Sequence, residues 1–113
     1  MKRSKYNSTK VTFNGIKFDS IKEMNYYKRL RMLKNANGND RVINIELQPR
    51  YDYLITYSAN GKEVKRKAFY KGDFLVTYPN RTELVDVKGF RTATYKRKKK
   101  IIEALYQIKI IEV

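Results

Sequence analysis

Residues 72–88, GDFLVTYPNRTELVDVK, contain two apolar runs, each beside one aspartate, with a proline turn between them. Asp73 interrupts the first run and Asp86 lies inside the second. Residues 79–81, Pro-Asn-Arg, are typical of a tight turn, so the two runs are expected to be neighbouring strands. Because side chains alternate between the two faces of a strand, Asp86 and Lys88 are expected to lie on the same face.

Carboxylates inside apolar strands need a partner, because a buried charge is costly unless it is paired or bound to a metal ion. If Asp73, Asp86 and Lys88 converge on one face of the sheet, a divalent cation would offset that cost. Oxygen ligands favour Mg²⁺, with Mn²⁺ as a substitute. The alternative is an ion pair between Asp86 and Lys88 on an exposed edge strand, with Asp73 in a turn. Spacing alone leaves both interpretations open, since a D-x-K triplet often occurs by chance.

The segments on either side of this stretch complete one predicted sheet. The predicted elements are strands at 42–47 and 51–57, 64–78, 82–88 and 108–111, and a helix at 92–106. The first strand is bent at Gln48-Pro49, because proline cannot donate to a central ladder. The apolar side of the helix is predicted to comprise Ile101, Ala104 and Leu105.

The N-terminal part predicts a hairpin followed by a helix. Asn14-Gly15, in the middle of residues 11–18, is typical of a type I′ turn. Ser20 with Glu23 three positions later matches a capping box, which opens a helix. The inward side of that helix is predicted to comprise Glu23, Tyr26, Tyr27, Leu30 and Leu33. The cap explains Glu23 fully, and an additional role at the edge of a metal site stays open.

The order of helix, three strands, helix and strand predicts an α/β (α+β) fold. Three consecutive strands joined by turns favour an antiparallel meander, and the helix before the last strand makes that strand parallel to its neighbour. We expect a mixed four-stranded sheet flanked by helices and preceded by the short N-terminal β-hairpin.

Composition limits the possible functions. The chain has 113 residues, enough for a single domain at 11–113, with residues 1–10 as a basic N-terminal arm. Its 26 Lys and Arg against 11 Asp and Glu give a net charge of +15, which favours a polyanionic partner, nucleic acid first. The sequence has no Cys and no His, which excludes thiolate or imidazole metal sites, a cysteine nucleophile and a histidine base.

The predicted setting follows from the same composition. No apolar run approaches the roughly 20 residues that span a bilayer, so we expect no membrane partner and a cytoplasmic location. We also expect no nucleotide cofactor.

Basic residues concentrate directly after the D-x-K triplet. The candidate DNA-binding residues there are Arg91, Lys96, Arg97, Lys98, Lys99 and Lys100. Glu103 is the one acid expected near them, which favours phosphate contact over a merely solvated helix face. Gln48 is a further candidate contact to substrate, with a role in the strand bend as the alternative.

These residues resemble the PD-(D/E)XK nuclease superfamily. Its core has an acid on the second strand, D-x-K or E-x-K on the third, and often a glutamate on the first helix. Asp73, then Asp86 and Lys88, with Glu23 on the helix, match that pattern. Gly72 stands where the motif has proline, and the third-strand acid is Asp where Glu is commoner.

A narrower resemblance concerns three short segments, NGIKFDS at 14–20, LQP at 47–49 and VDVKG at 85–89. Together with Lys22-Glu23 and the final IIEV at 110–113, they are similar to a small, uncharacterised, phage-encoded family related to Holliday-junction resolvases and recombination endonucleases. With the superfamily pattern, they cover nearly the whole chain.

The resemblance implies a restriction-endonuclease-like αβββαβ core and a Mg²⁺-dependent DNA endonuclease, acting in phage recombination or replication in the host cytoplasm. Asp73, Asp86, the Val87 carbonyl and, as a further candidate, Glu23 would hold the metal, and Lys88 would assist catalysis. By analogy with resolvases, we expect a homodimer acting on branched or duplex DNA. The alternative is a non-catalytic DNA- or RNA-binding protein on a degenerate nuclease fold.

Overall fold

The computed structural model describes residues 10–87 and 91–113, which form eight strands and two α-helices. In chain order they are β1 (Val11–Phe13), β2 (Ile16–Phe18), α1 (Ile21–Met32), β3 (Asn44–Leu47), β4 (Arg50–Ala59), β5 (Lys62–Lys71), β6 (Phe74–Thr77), β7 (Thr82–Asp86), α2 (Ala93–Tyr106) and β8 (Ile110–Glu112). Residues 1–9 of the predicted arm lie outside the described residues. Neither helix in these parts of the chain is long and apolar enough to cross a membrane.

The N-terminal hairpin and helix confirm the predictions. Asn14 and Gly15 both have positive φ, 52° and 74°, as a type I′ turn between β1 and β2 requires. The backbone N–H of Glu23 donates to Ser20 Oγ at 3.1 Å, which caps the start of α1. After Met32 the chain continues as a 3₁₀ turn, Leu33–Asn35.

The main sheet is mixed and four-stranded, as predicted. Its strand order is β3-β6-β7-β8. The first three strands are antiparallel neighbours, and β8, which follows α2, runs parallel to β7. The fold is therefore α+β, with a meander extended by one parallel strand.

The prediction of one strand at 64–78 is wrong, because the chain leaves the main sheet for ten-residue β4 and returns along ten-residue β5. These two strands pair only with each other in the described structure, and we call them the ribbon. The two connections between the main sheet and the ribbon, residues 48–49 and 72–73, lie opposite each other. Gly72 N donates to Pro49 O at 2.9 Å, and Gln48 N donates to Asp73 O at 3.0 Å. A Cβ on Gly72, between β5 and β6, would stand 2.8 Å from Leu84 Cδ1, so a side chain at this position would displace the buried Leu84 side chain.

Two apolar clusters cover the two faces of the sheet. The α1 face packs against α1 and the N-terminal hairpin, with buried residues Phe18, Tyr27, Leu30, Val42, Phe74, Val76, Tyr78, Val85 and Val87. The α2 face packs against α2 and the base of the ribbon, with buried residues Tyr53, Tyr70, Leu84, Tyr95, Ile102 and Ile110.

The predicted apolar side of α2 needs correction. Ile102 and Tyr95 are the buried residues of this helix, whereas Ala104 is exposed and Leu105 is 61% exposed. Ile101 is half-buried, as the prediction required. The buried side passes through half-buried Lys98 and Lys99, whose aliphatic stems can cover apolar surface, so a count of apolar residues points to the wrong side.

Candidate functional site

Asp73 and Asp86 lie close together at the ends of two adjacent strands, as predicted, although Asp73 occupies a bend and is not inside a strand. Asp73 directly precedes β6 and Asp86 is the last residue of β7, with Phe74 and Val85 paired between them. Asp73 N donates to Val85 O at 3.1 Å, and Val87 N donates to Asp73 Oδ2 at 2.6 Å. The end of β7 therefore holds the Asp73 carboxylate in place through backbone groups.

Asp86 is the one charged side chain in the described structure that is completely buried, with 0% exposure. The Tyr70 hydroxyl donates to Asp86 Oδ2. Burial and this hydrogen bond raise the pKa of Tyr70, so the hydroxyl stays a proton donor. Burial of a carboxylate costs free energy even beside a hydrogen-bond donor, and a hydrophobic residue at this position would not carry that cost.

The electrostatic environment of Asp73 is unusual for an aspartate. Burial raises its pKa, the hydrogen bond from Val87 N opposes that effect, and the nearby charges of Glu23 and Asp86 raise it further, to about 7. A hydrogen bond between the Asp73 and Asp86 carboxyl groups contributes in the same direction. Two carboxylates held close together repel each other when both are ionised, which favours a proton on one of them. A bound cation relieves the same repulsion.

Glu23 and Gln48 reach the same edge of the sheet. Together with Asp73 and Lys17 they line a cavity of about 230 Å³ between the N-terminal hairpin and the end of β3. The backbone N–H of Glu23 serves the helix cap, while its half-buried carboxylate lies close enough to act on the pKa of Asp73. The two roles predicted for Glu23 are therefore compatible.

Gln48 also connects this edge to the ribbon. It adopts φ 49° at the bend between β3 and β4, and Lys71 Nζ donates to its side-chain oxygen at 3.5 Å. The strand-bend role predicted for Gln48 is therefore present in the structure, whereas its contact to substrate stays a prediction.

Three residues at the site were missed by sequence reasoning: Lys17, Tyr70 and Tyr95. Tyr95, at the start of α2, is buried, and burial together with the charges of Asp86 and Glu112 raises its pKa. Ten tyrosines are present, and no pattern in the sequence distinguishes Tyr70 and Tyr95 from those that only fill the core. Lys17 lies on the outward side of its hairpin strand, so the sequence does not predict an acidic neighbour for it.

Lys88, the predicted catalytic lysine, lies outside the described residues, as do Gly89 and Phe90. Val87, the predicted carbonyl ligand, is buried and directly follows Asp86. Within residues 10–87 and 91–113, no group of three or more acidic side chains stands ready to enclose a metal ion. Mg²⁺ typically takes only one or two carboxylates, with waters and substrate phosphates completing the shell, so Asp73 and Asp86 fit that donor set.

Acidic neighbours neutralise more of the positive charge of residues 91–100, the basic segment, than predicted. Glu112 pairs with Arg91 at 2.7 Å and with Lys99 at 3.4 Å, so the expectation of Glu103 as the one nearby acid is wrong. The parallel pairing of β8 with β7 brings Glu112 opposite Asp86, a long-range contact that the sequence does not reveal.

The other cations of this segment differ in their surroundings. Lys98 Nζ donates to Phe69 O on the ribbon at 3.1 Å. Lys96, Arg97 and Lys100 are exposed on α2 and make no ion pair in the described structure, since the pairs found there involve other cations.

Comparison with known proteins gives a family. No curated protein and no solved structure matches the chain. Residues 3–111 match the family described as "Protein of unknown function (DUF1064)". Because this match spans nearly all of the 113 residues, the chain belongs to the DUF1064 family.

Proposed function

We propose that this protein is a metal-dependent DNA endonuclease of the PD-(D/E)XK type. The observation that carries the proposal is the proximity of two acids at the ends of adjacent strands, Asp73 just before β6 and Asp86 at the end of β7. Asp86 is wholly buried, and the pKa of Asp73 is raised by burial and by the charges of Glu23 and Asp86. A carboxyl group that lines a cavity and has a raised pKa, as Asp73 does, is typical of functional sites.

The order of elements supports the proposal. α1, β3, β6, β7, α2 and β8 follow one another as helix, three strands, helix and strand, with the ribbon inserted between β3 and β6. Asp73 then precedes the second core strand and Asp86 ends the third, which are the positions of the acids in the superfamily that the sequence resembles.

In the proposed mechanism, Asp73 and Asp86 would hold the metal ion, with the Val87 carbonyl and Glu23 as further ligands. Mg²⁺, or Mn²⁺ in its place, would lower the pKa of bound water and offset charge on the phosphate. Tyr70 keeps one oxygen of Asp86 hydrogen-bonded, and Val87 N–H does the same for Asp73, so both carboxylates are fixed before substrate binds.

Lys88 would stabilise the negative charge that grows on the phosphate oxygens. The oxygen of water attacks phosphorus, the bond to the 3′ oxygen breaks, and that oxygen takes up a proton. The products are a 5′-phosphate and a 3′-hydroxyl, as the resemblance implies.

Charge supports nucleic acid as the substrate. The net charge is +15, and Lys96, Arg97 and Lys100 extend along α2, the helix that packs on the same face of the sheet as Asp86. Phosphate contacts by such residues dominate the affinity of DNA-binding proteins. The proposed compartment is the cytoplasm.

A cleavage assay with Asp86→Asn tests the proposal. Branched and linear DNA are incubated with Mg²⁺, with Mn²⁺ and with EDTA. We expect the parent to cut only with metal and the variant to lose about two to three orders of magnitude in rate, as for other groups on which transition-state stabilisation depends. The variant should keep or improve its DNA affinity, because a negative charge is removed.

The matched control is Asp52→Asn, which neutralises an exposed acid paired with Arg50 on the ribbon. It should cut like the parent. Equal cleavage by the parent and by Asp86→Asn would contradict the proposed site. Metal-independent binding without any cleavage, or a preference for RNA, would favour the non-catalytic alternative.

The proposed homodimer is tested separately. Two cuts on opposite strands of a branched substrate require two active sites, so a resolvase-like activity predicts a dimer in sedimentation at micromolar concentration. A monomer at that concentration, with cleavage retained, would indicate nicking or flap cutting.

A further inference from the structure

The ribbon extends the molecule far beyond a compact shape. The radius of gyration is 16.9 Å, whereas a compact domain near this size has about 13 Å. β4 and β5 are paired over all ten residues, from Arg50 opposite Lys71 to Ala59 opposite Lys62. At about 3.4 Å per residue the ribbon is roughly 30 Å long. Its base carries Tyr70, the donor to Asp86, so the ribbon begins at the acids.

The two faces of the ribbon have different surroundings. Side chains alternate, and the inner face packs into the cluster on the α2 side of the sheet through Tyr53, Tyr70, Tyr51, Ile55 and Ala68. The outer face comprises Arg50, Asp52, Leu54, Thr56, Ser58, Glu63, Lys65, Lys67, Phe69 and Lys71, all of them exposed. A full face of a ten-residue ribbon is therefore open.

The chemistry of the outer face indicates its partner. It has four cations and two acids, and one of the acids, Asp52, is held by Arg50 at 2.9 Å. Lys65 and Lys67 make no ion pair with the described residues, while Leu54 and Phe69 are 59% and 42% exposed between the charges. Basic and apolar side chains in alternation suit a phosphate-lined groove with base edges at its floor.

We propose that the outer face of the ribbon binds in the major groove of duplex DNA beside the cleavage site. The major groove of B-DNA, about 12 Å wide, admits a two-stranded β-ribbon. A length of roughly 30 Å corresponds to somewhat less than one turn of the duplex, about 34 Å. This proposal rests on the DNA-binding part of the proposed function and not on its cleavage step.

The groove geometry also selects among nucleic acids. The major groove of A-form RNA is deep and too narrow for side chains to read, so the ribbon should contribute to binding of duplex DNA and not of duplex RNA. Lys65 and Lys67 would lie over successive positions of the same face, about 7 Å apart, and each would contact one phosphate.

The test is the double variant Lys65→Gln, Lys67→Gln, measured in EDTA so that no cleavage interferes. Binding to a fluorescent DNA duplex is titrated at several salt concentrations. We expect several-fold weaker binding, and a slope of log K against log salt that is shallower by about 1.8, at about 0.9 per phosphate contact. The matched control, Lys34→Gln with Lys109→Gln, removes the same charge from exposed positions outside the ribbon and should leave the slope nearly unchanged.

Several results would overturn the proposal: an unchanged slope for the ribbon variant, the same change in the control, or an equal loss with duplex RNA. A ribbon variant that dissociates a dimer in sedimentation but binds DNA normally would make the outer face a contact between two copies of the chain. If the slope changes as expected while the parent cuts no DNA with Mg²⁺ or Mn²⁺, the nuclease proposal fails and the ribbon proposal stands.

Discussion

The two faces of the main sheet come from the same strands but bury different chemistry. On the α1 face, Phe74 and Val85 point from β6 and β7 into an entirely hydrophobic cluster. On the α2 face, Leu84 and Asp86 alternate with them along β7, and Asp86 is as fully buried as Leu84. Its neighbour there is the hydroxyl of Tyr70.

This difference separates stability from chemistry. Burial of apolar surface explains the α1 face without any function. Burial of Asp86 instead lowers the free energy of unfolding, because a carboxylate loses its hydration and gains little from apolar neighbours. Substitutions on the α1 face should therefore act only on the free energy of unfolding, whereas substitutions around Asp86 should also act on the proposed activity, on metal binding and on pH dependence.

The largest loss of stability is expected for Phe74→Ala on the α1 face. The ring is 1% exposed, and truncation of a buried phenylalanine costs about 3–5 kcal/mol through lost burial and the cavity left behind. Urea unfolding measures the change. Phe69→Ala on the open face of the ribbon is the control, and its cost should be far smaller. Equal costs at the two sites would contradict the assignment of the core.

Tyr70→Phe should have the next largest effect. It removes the hydroxyl donor to Asp86, and a buried polar group that loses its partner costs about 1–3 kcal/mol. If the proposed nuclease activity is correct, cleavage should also fall by about 10–100-fold, as expected when a residue that orients a proposed metal ligand is lost.

Tyr78→Phe is its control on the α1 face, where the Arg81 guanidinium lies 3.9 Å from the ring centroid. That contact survives the substitution, so stability and cleavage should change less. A Tyr78→Phe effect as large as that of Tyr70→Phe would remove the distinction between the two faces.

Local patterns predicted the local structure well. The Asn14-Gly15 turn and the Ser20 cap depend only on neighbouring residues, and both are present. The break at Gly72 depends on contacts with Pro49 and Leu84, which are distant in sequence. An alternating pattern continues across residues 64–78, so it could not reveal that the chain changes sheets there.

The candidate site was predictable where a charge contradicted an apolar pattern. Asp86 inside β7 is such a contradiction, and its complete burial agrees with that reasoning. Tyr70 and Tyr95 fit the apolar pattern of their elements and so gave no signal. The pairing of Glu112 with Arg91 depends on the parallel β8, and sequence separation hides it.

The pH dependence of stability should distinguish Asp73 from ordinary acids. In the folded chain Asp73 keeps its proton up to about pH 7, whereas its ordinary pKa is 3.8. Between about pH 4 and 7 the folded state therefore binds more protons than the unfolded state, and its contribution to the free energy of unfolding falls as pH rises through that window.

Thermal unfolding of the parent and of Asp73→Asn at pH 5 and pH 8 measures this effect. The parent should lose several degrees of Tm relative to the variant on going to pH 8, given roughly 4–8 °C per kcal/mol in a domain of about this size. Mg²⁺ should restore part of the loss at pH 8 and little at pH 5, because it competes with the proton. Asp52→Asn, with the same change on the ribbon, should behave like the parent.

Ser20→Ala and Glu23→Gln make the smallest expected changes and separate the two roles of Glu23. Ser20→Ala removes the acceptor for Glu23 N–H and should cost about 1 kcal/mol, with the Mg²⁺ dependence of cleavage unchanged. Glu23→Gln keeps that backbone bond and removes a charge that raises the pKa of Asp73, so Tm should change little while more Mg²⁺ is needed for half-maximal cleavage. If Glu23→Gln instead lowers Tm as much as Ser20→Ala and leaves the Mg²⁺ requirement as it was, Glu23 serves the helix alone and the metal site depends on Asp73 and Asp86.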